Sequence, residues 1–141
     1  MQVPLENLAD FARDFVASLP QKTMDRAHVV GLRGALGAGK TTFVQHVARA
    51  LGVANDVTSP TFVIMQKHKT AHPVFTSLVH IDAYRLKAEE VGTIGWEETI
   101  KDPHALVLVE WPEQLGSAFP RAPILTFSVV DESVRDITYA G

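Results

Sequence analysis

Gly34-Ala35-Leu36-Gly37-Ala38-Gly39-Lys40-Thr41 carries the spacing G-x-x-x-x-G-K-[ST]. That spacing has a direct physical purpose. Glycines let a backbone curl closely around phosphate oxygens, so that consecutive N–H groups point inward as an anion nest. A lysine at position 40 then reaches the β- and γ-phosphates, and the Thr41 hydroxyl is placed to ligate Mg²⁺. A helix starting at this point adds its positive N-terminal end. The loop therefore predicts a triphosphate site, and it lies where such a loop must lie. The short apolar run His28-Val29-Val30-Gly31-Leu32 comes before it as a buried strand, and Thr41 to Leu51 follows as a helix closed by Gly52.

Working outward, Leu5, Leu8, Ala12, Phe15, Val16 and Leu19 fall at helical spacing, and Pro20 ends that stretch. Residues 62–69 alternate moderately and 74–81 form a second strand candidate ending at Asp82. From Lys87 a helical stretch begins that Gly92 and Gly95 interrupt. Ala105-Leu106-Val107-Leu108-Val109 is the clearest core strand, followed by Glu110-Trp111-Pro112. Residues 123–130 and 134–139 flank Asp131-Glu132-Ser133 as a closing hairpin. Strands alternating with helices predict an α/β fold, a P-loop NTPase-like three-layer sandwich. Its central sheet is expected to be mixed and mostly parallel, with a C-terminal antiparallel hairpin. The length of 141 residues predicts a single domain over 1–141.

Composition narrows the class. Hydrophobic residues make up 46% and charged residues 21%, the balance of a globular protein. A net charge of −3 argues against a chain whose main task is gripping a nucleic-acid backbone. With no cysteine, disulfides and Cys-based zinc sites are excluded. No apolar stretch approaches the roughly 20 residues that span a bilayer, and no secretory pattern opens the chain, so a cytoplasmic location is expected.

A P-loop site needs an acid at the end of a neighbouring strand to position the metal or its waters. Glu110 and Asp82 both fit, each following a buried strand, and spacing alone does not divide the roles between them. Val57-Thr58-Ser59-Pro60-Thr61-Phe62 stands where a γ-phosphate-sensing loop stands in related folds, although an ordinary Ser-Pro turn explains it too. His68 and His72 lie on a strand and turn without a third ligand, which makes them surface histidines rather than a metal pair. Trp96 and Trp111 suit core or rim positions, and Lys67, Lys69, Arg85 and Lys87 a solvated face. No arginine is placed by the sequence to act on a phosphate. About ninety residues remain after the P-loop helix, nearly all needed to complete the sheet. That leaves no room for the acceptor insertion and lid of a small-molecule kinase. A compact kinase and a non-catalytic nucleotide-dependent binding module are the competing classes; the expectation is an ATP-operated switch read by another protein.

Four motifs together are more discriminating than the loop. Gly34 to Thr42, Ser59-Pro60-Thr61-Phe62, His80-Ile81-Asp82-Ala83-Tyr84-Arg85-Leu86 and Glu110-Trp111-Pro112-Glu113 resemble the TsaE (YjeE) family in order and approximate spacing. The resemblance implies an ATPase required for threonylcarbamoyladenosine in tRNA, the modification beside the anticodon. The family's partners are TsaD and TsaB, whose complex performs the carbamoyl transfer, and contact with tRNA is indirect or weak. By motif match, Ala35, Leu36, Gly37, Ala38, Gly39, Lys40, Thr41 and Thr42 would cradle ATP, with Mg²⁺ on Thr41 and Glu110. Lys40, Asp82 and Glu110 would be the catalytic groups, with Asp82 near the γ-phosphate. Thr61 would sit on a switch-like loop and Trp111 beside the nucleotide; Tyr84 and Arg85 would edge the site or meet a partner. Ala35, Ala83 and His68 depart from the family pattern, which usually has an acid, a leucine and a tyrosine there.

Overall fold

In the computed structural model, which describes residues 1–54 and 64–140, seven strands form one sheet. The elements are β1 (Gln2–Pro4), α1 (Leu8–Ala17), β2 (His28–Arg33), α2 (Lys40–Ala50), β3 (Met65–Lys69), β4 (Ser77–Asp82), α3 (Trp96–Ile100), β5 (Ala105–Glu110), β6 (Ile124–Val129) and β7 (Val134–Ala140). The order across the sheet is β1-β7-β6-β2-β5-β4-β3. The central four, β6, β2, β5 and β4, run parallel. Antiparallel strands finish both edges, β3 on β4 and β7 then β1 beyond β6. The mixed α/β fold expected from the sequence is therefore present, hairpin included. Thr58, Ser59, Pro60, Thr61 and Phe62 lie outside the described residues.

The apolar strands explain the parallel centre. Every residue of β5 is buried, which requires packing on both faces. Strand alternation then assigns each side chain to a face. Leu106 and Leu108 join Val30, Leu32 and Leu78 in a core under α1 and α2. Val107 and Val109 join Val29, Val79 and Ile81 in a second core, closed by Trp96 and Leu115. Phe43 of α2 centres the first core, 5.8 Å from Phe11, 5.3 Å from Phe15 and 5.5 Å from Phe127, ring centroid to ring centroid.

Three local readings are refined. The first helix is a 3-10 turn, Leu5–Asn7, leading into α1, which stops at Ala17. The glycine-interrupted stretch is a 3-10 helix, Ala88–Ile94, and the short α3, parted where Gly95 takes φ 79°. β1 is too short to leave a pattern in sequence. It is fixed by pairing with β7 and by the terminal amine, which donates to the Ile137 carbonyl at 3.2 Å. Among the described residues no helix is long and apolar enough to cross a membrane.

Gly34 joins the sheet to the loop. Its φ is +148°, and a Cβ there would stand 2.5 Å from the Phe127 carbonyl oxygen of β6. Backbone meeting backbone leaves no flexible side chain to give way. Gly34→Ala is expected to destabilise the fold by about 2 kcal/mol or more. Gly92→Ala, with nothing within 4 Å of the added carbon, should stay within about 0.5 kcal/mol of the parent. Denaturant titration of the two variants checks this; equal costs would contradict the backbone contact.

Candidate active site

Alternation decides which side chains meet at the loop. His80 and Asp82 share the face of Leu78, and Glu110 shares that of Leu106 and Leu108. That is the face covered by α2. Asp82 and Glu110 are register partners at the last rung of β4 and β5. The two acids therefore stand side by side at the carboxyl ends of parallel strands, where open α/β sheets bind ligands. A cleft of about 370 Å³ opens there, lined by Leu36, Gly37, Gly39, Lys40, Thr41, Thr42, Asp82, Glu110 and Trp111, with Leu5 and Arg135 beyond the loop. Ala38 is turned away, 1% exposed in the first core, and its N–H donates to the Ala35 carbonyl at 3.1 Å. Ala35 lies outside that cleft lining.

Lys40 is buried at the start of α2. Its ammonium donates to the Gly34 carbonyl and sits 3.8 Å from the centroid of the Trp111 ring, a cation–π distance. Burial lowers its pKa, and the charges of Glu110, Asp82 and Glu113 pull it back up. Trp111 is positioned by strain. It takes φ 60° and ψ 54° while its N–H donates to the Leu32 carbonyl at 3.1 Å, a conformation costly for a bulky side chain. Tyr84 packs against it at 5.0 Å between ring centroids. Trp96, by contrast, is a core residue whose indole N–H donates to the Ala118 carbonyl.

Glu110 is 3% exposed. The Thr41 hydroxyl donates to its carboxylate, 3.1 Å from Oε1 and 3.0 Å from Oε2. Nε2 of His80, a fully buried ring, lies 2.5 Å from Oε2. A buried carboxylate demands such donors. His80 is the functional residue that sequence reasoning missed. The signal was a polar ring inside the apolar run Leu78-Val79-His80-Ile81 on the same strand face as Asp82. Asp82 accepts the Tyr84 N–H at 3.1 Å. Its pKa is raised first by burial and then by the charge of Glu110; the Tyr84 bond, His80 and Lys40 act the other way.

The histidines at 68 and 72 are less superficial than the sequence implied. Among the described residues the Nε2 of His68 is buried without a partner, while His72 Nδ1 accepts the Val74 and Phe75 N–H groups and so pins a turn. Among the described residues no group of three or more His, Asp or Glu side chains is arranged for a metal. Lys67, Lys69, Arg85 and Lys87 are exposed, as a solvated face requires.

Comparison with known proteins finds relatives along most of the chain. The family model described as "Threonylcarbamoyl adenosine biosynthesis protein TsaE" matches residues 5–137. A tRNA threonylcarbamoyladenosine biosynthesis protein TsaE of Treponema pallidum is 36% identical over 121 residues, 84% of this chain and 86% of that one. A relative so named from Rickettsia bellii is 35% identical over 133 residues, 92% of this chain and 85% of its own. The chain spans about half the length of one from Mycobacterium tuberculosis, 38% identical over 95 residues that make up 62% of this chain and 55% of that one. The crystal structure of Bacillus subtilis YdiB superposes with a TM-score of 0.72 at 26% identity, covering 99% of this chain and 82% of that one.

The raised pKa of Asp82 has a stability consequence. Its folded value lies above the unfolded one, so the ionised carboxylate costs folding free energy at neutral pH. That cost fades as pH falls through the folded value toward the ordinary ~3.9. Asp82→Asn keeps an oxygen for the Tyr84 N–H and removes the charge. Its Tm at pH 7.5 should equal or exceed that of the parent, with the gap closing toward about pH 4. A clear loss of Tm at pH 7.5 would contradict the assignment.

Proposed function

The chain belongs to the TsaE family, whose role is in tRNA threonylcarbamoyladenosine biosynthesis, and from that premise we propose that it binds and slowly hydrolyses ATP to operate the TsaD–TsaB complex. The observation that carries this reading is the convergence of Lys40, Thr41, Asp82 and Glu110 on one cleft at the mouth of the glycine loop.

The residues fit the ligands the reading needs. Glycine backbone, a partly buried ammonium and a helix N-terminus make a polyphosphate cradle. The open space around Gly37, with nothing within 4 Å of a would-be Cβ, lets phosphate oxygens approach the backbone. Thr41 and Glu110 present hard oxygen donors to one spot, the donor type Mg²⁺ prefers. When bound there, Mg²⁺ would neutralise charge on the β- and γ-phosphates.

The protein's own groups then have distinct tasks. Lys40 exchanges the Gly34 carbonyl for phosphate oxygens. His80 fixes the orientation of the Glu110 carboxylate, so the acid does not swing when the Thr41 hydroxyl changes partner. Asp82, half-buried and among the described residues not spent on an ion pair, orients the attacking water at the γ-phosphate. Thr61 answers the nucleotide, and Tyr84 and Arg85, both exposed, are available to a partner. The protein works in the cytoplasm and touches tRNA only through the complex.

Association with purified TsaD–TsaB, measured with ATP, with ADP and without nucleotide, tests the reading. ATP should tighten binding by about tenfold or more relative to no nucleotide, the size of an ordinary allosteric coupling. Hydrolysis by the isolated chain should be slow and should rise on adding the complex. Asp82→Ala should lower turnover by about 10² with ATP binding retained. Association indifferent to nucleotide would overturn the switch, and turnover as fast alone as in complex would overturn the gating.

A further inference from the structure

His80 does not stand alone as a polar ring in the core, because Gln66 and His68 lie on the same inward face of β3 and β4. Gln66 is directly opposite His80 in the antiparallel register, and His68 is opposite Leu78, one rung further from the cleft. Partners in register share a face, here the face of Leu78 in the core under α2. Lys67 and Lys69, on the other face of β3, are exposed, whereas Gln66 and His68 are partly buried. Polar side chains turned toward an apolar core are costly unless their polar atoms are paired. Yet among the described residues Gln66 Oε1, His68 Nε2 and His80 Nδ1 are buried and have no hydrogen-bond partner.

The His80 ring is where this cluster meets the site. Its Nε2 is committed to Glu110 Oε2 at 2.5 Å, which leaves Nδ1 to fix the other side of the ring. A carboxylate is only as well placed as the ring that holds it, and the ring is placed by what its second nitrogen meets. Distance selects Gln66 for that contact. Directly opposed residues of an antiparallel pair hold their Cβ atoms about 5 Å apart, whereas a diagonal neighbour such as His68 stands roughly 7 Å away. The glutamine side chain has the length to span the shorter gap, and its amide presents an acceptor oxygen and a donor nitrogen together. A turn of the amide therefore meets Nδ1 whichever ring nitrogen carries the proton. Resting on the reading that this cleft takes Mg²⁺ and ATP, we propose that Gln66 is a positioning residue. Its amide engages His80 Nδ1, and through the ring it holds the Glu110 carboxylate in place for the metal, beside the Thr41 hydroxyl.

Two measurements on the full chain test this, and the first needs no ligand. In the nucleotide-free protein, long-range ¹H–¹⁵N spectra at one fixed pH read the Nδ1 resonance of the His80 ring. That resonance should move in Gln66→Met, which keeps the length of the side chain and loses the amide. The second measurement is calorimetric titration with a non-hydrolysable ATP analogue, in Mg²⁺ and again in EDTA. Gln66→Met is expected to weaken the analogue by about tenfold in Mg²⁺ and to leave its affinity in EDTA unchanged. Gln66→Asn, one methylene shorter, carries both tests if the first variant fails to fold, with the same two results expected. An unmoved Nδ1 resonance would overturn the proposal. Equal weakening with and without Mg²⁺ would overturn it too, since Gln66 would then only support the strand. So would a displaced resonance with full affinity in Mg²⁺, since His80 would then hold Glu110 unaided. A parent protein that binds the analogue in neither buffer would overturn the ATP reading and with it the metal task of Gln66, while the ring resonance would still decide whether the amide holds His80.

Discussion

A carboxylate buried at the end of a buried strand has to be satisfied by its neighbours, and at Glu110 that requirement organises the centre of the molecule. Leaving such a charge unpaired costs several kcal/mol, so every element around it is constrained to bring a donor. α2 brings the Thr41 hydroxyl and β4 brings the His80 ring. The backbone is tied in as well, with the Glu110 carbonyl accepting the Ala83 N–H at 3.0 Å. The next residue, Trp111, returns its N–H to Leu32 of β2. Three parallel strands and the glycine-loop helix are therefore locked to one residue. A shift of register by one residue would turn Glu110 into the second apolar core and His80 away from α2. The arrangement of the site and the register of the sheet are the same constraint.

Much of this was legible in the sequence, for physical reasons that differ by element. The glycine loop announces itself because its backbone conformations need particular residues at fixed spacing, and β5 does so because burial on both faces demands an unbroken apolar run. Asp82 and Glu110 were found as acids after such runs. Their adjacency was not, because it depends on which rung of β4 meets which rung of β5, and that register follows from pairing rather than local pattern. His80 was passed over for the same reason. It becomes meaningful only when its strand face is known to be that of Asp82. Arg135 lies 98 residues from Gly37, and nothing local marks the hairpin as a neighbour of the loop. β1, three residues long, has too few positions to show any periodicity.

Several costly features of the fold meet at this edge of the sheet. Trp111 holds a left-handed backbone, Asp82 carries a charge that burial disfavours, and Lys40 is partly desolvated. Each of these works against folding, and all three meet at one cleft, whereas the two cores are built of apolar side chains and the exposed lysines are solvated. Local rules broken together in one place, with no packing gain to explain them, mark a site shaped for something other than stability.

The way Lys40 is held shows how that cost bears on ligand choice. Its ammonium is sheltered by a single carbonyl and an aromatic face, neither of which neutralises its charge. Both contacts are weaker than a charge-assisted bond to a phosphate oxygen. An incoming anion therefore meets a cation already stripped of much of its water and lightly held, so little has to be broken before the stronger contact forms. Had Glu110 been free to form an ion pair with Lys40, that advantage would vanish, because the anion would first have to pull the opposite charges apart. The His80 and Thr41 bonds keep the carboxylate committed elsewhere. The His80 and Thr41 contacts beneath the loop thereby keep the carboxylate off the ammonium above it, which among the described residues rests on the Gly34 carbonyl and the Trp111 ring.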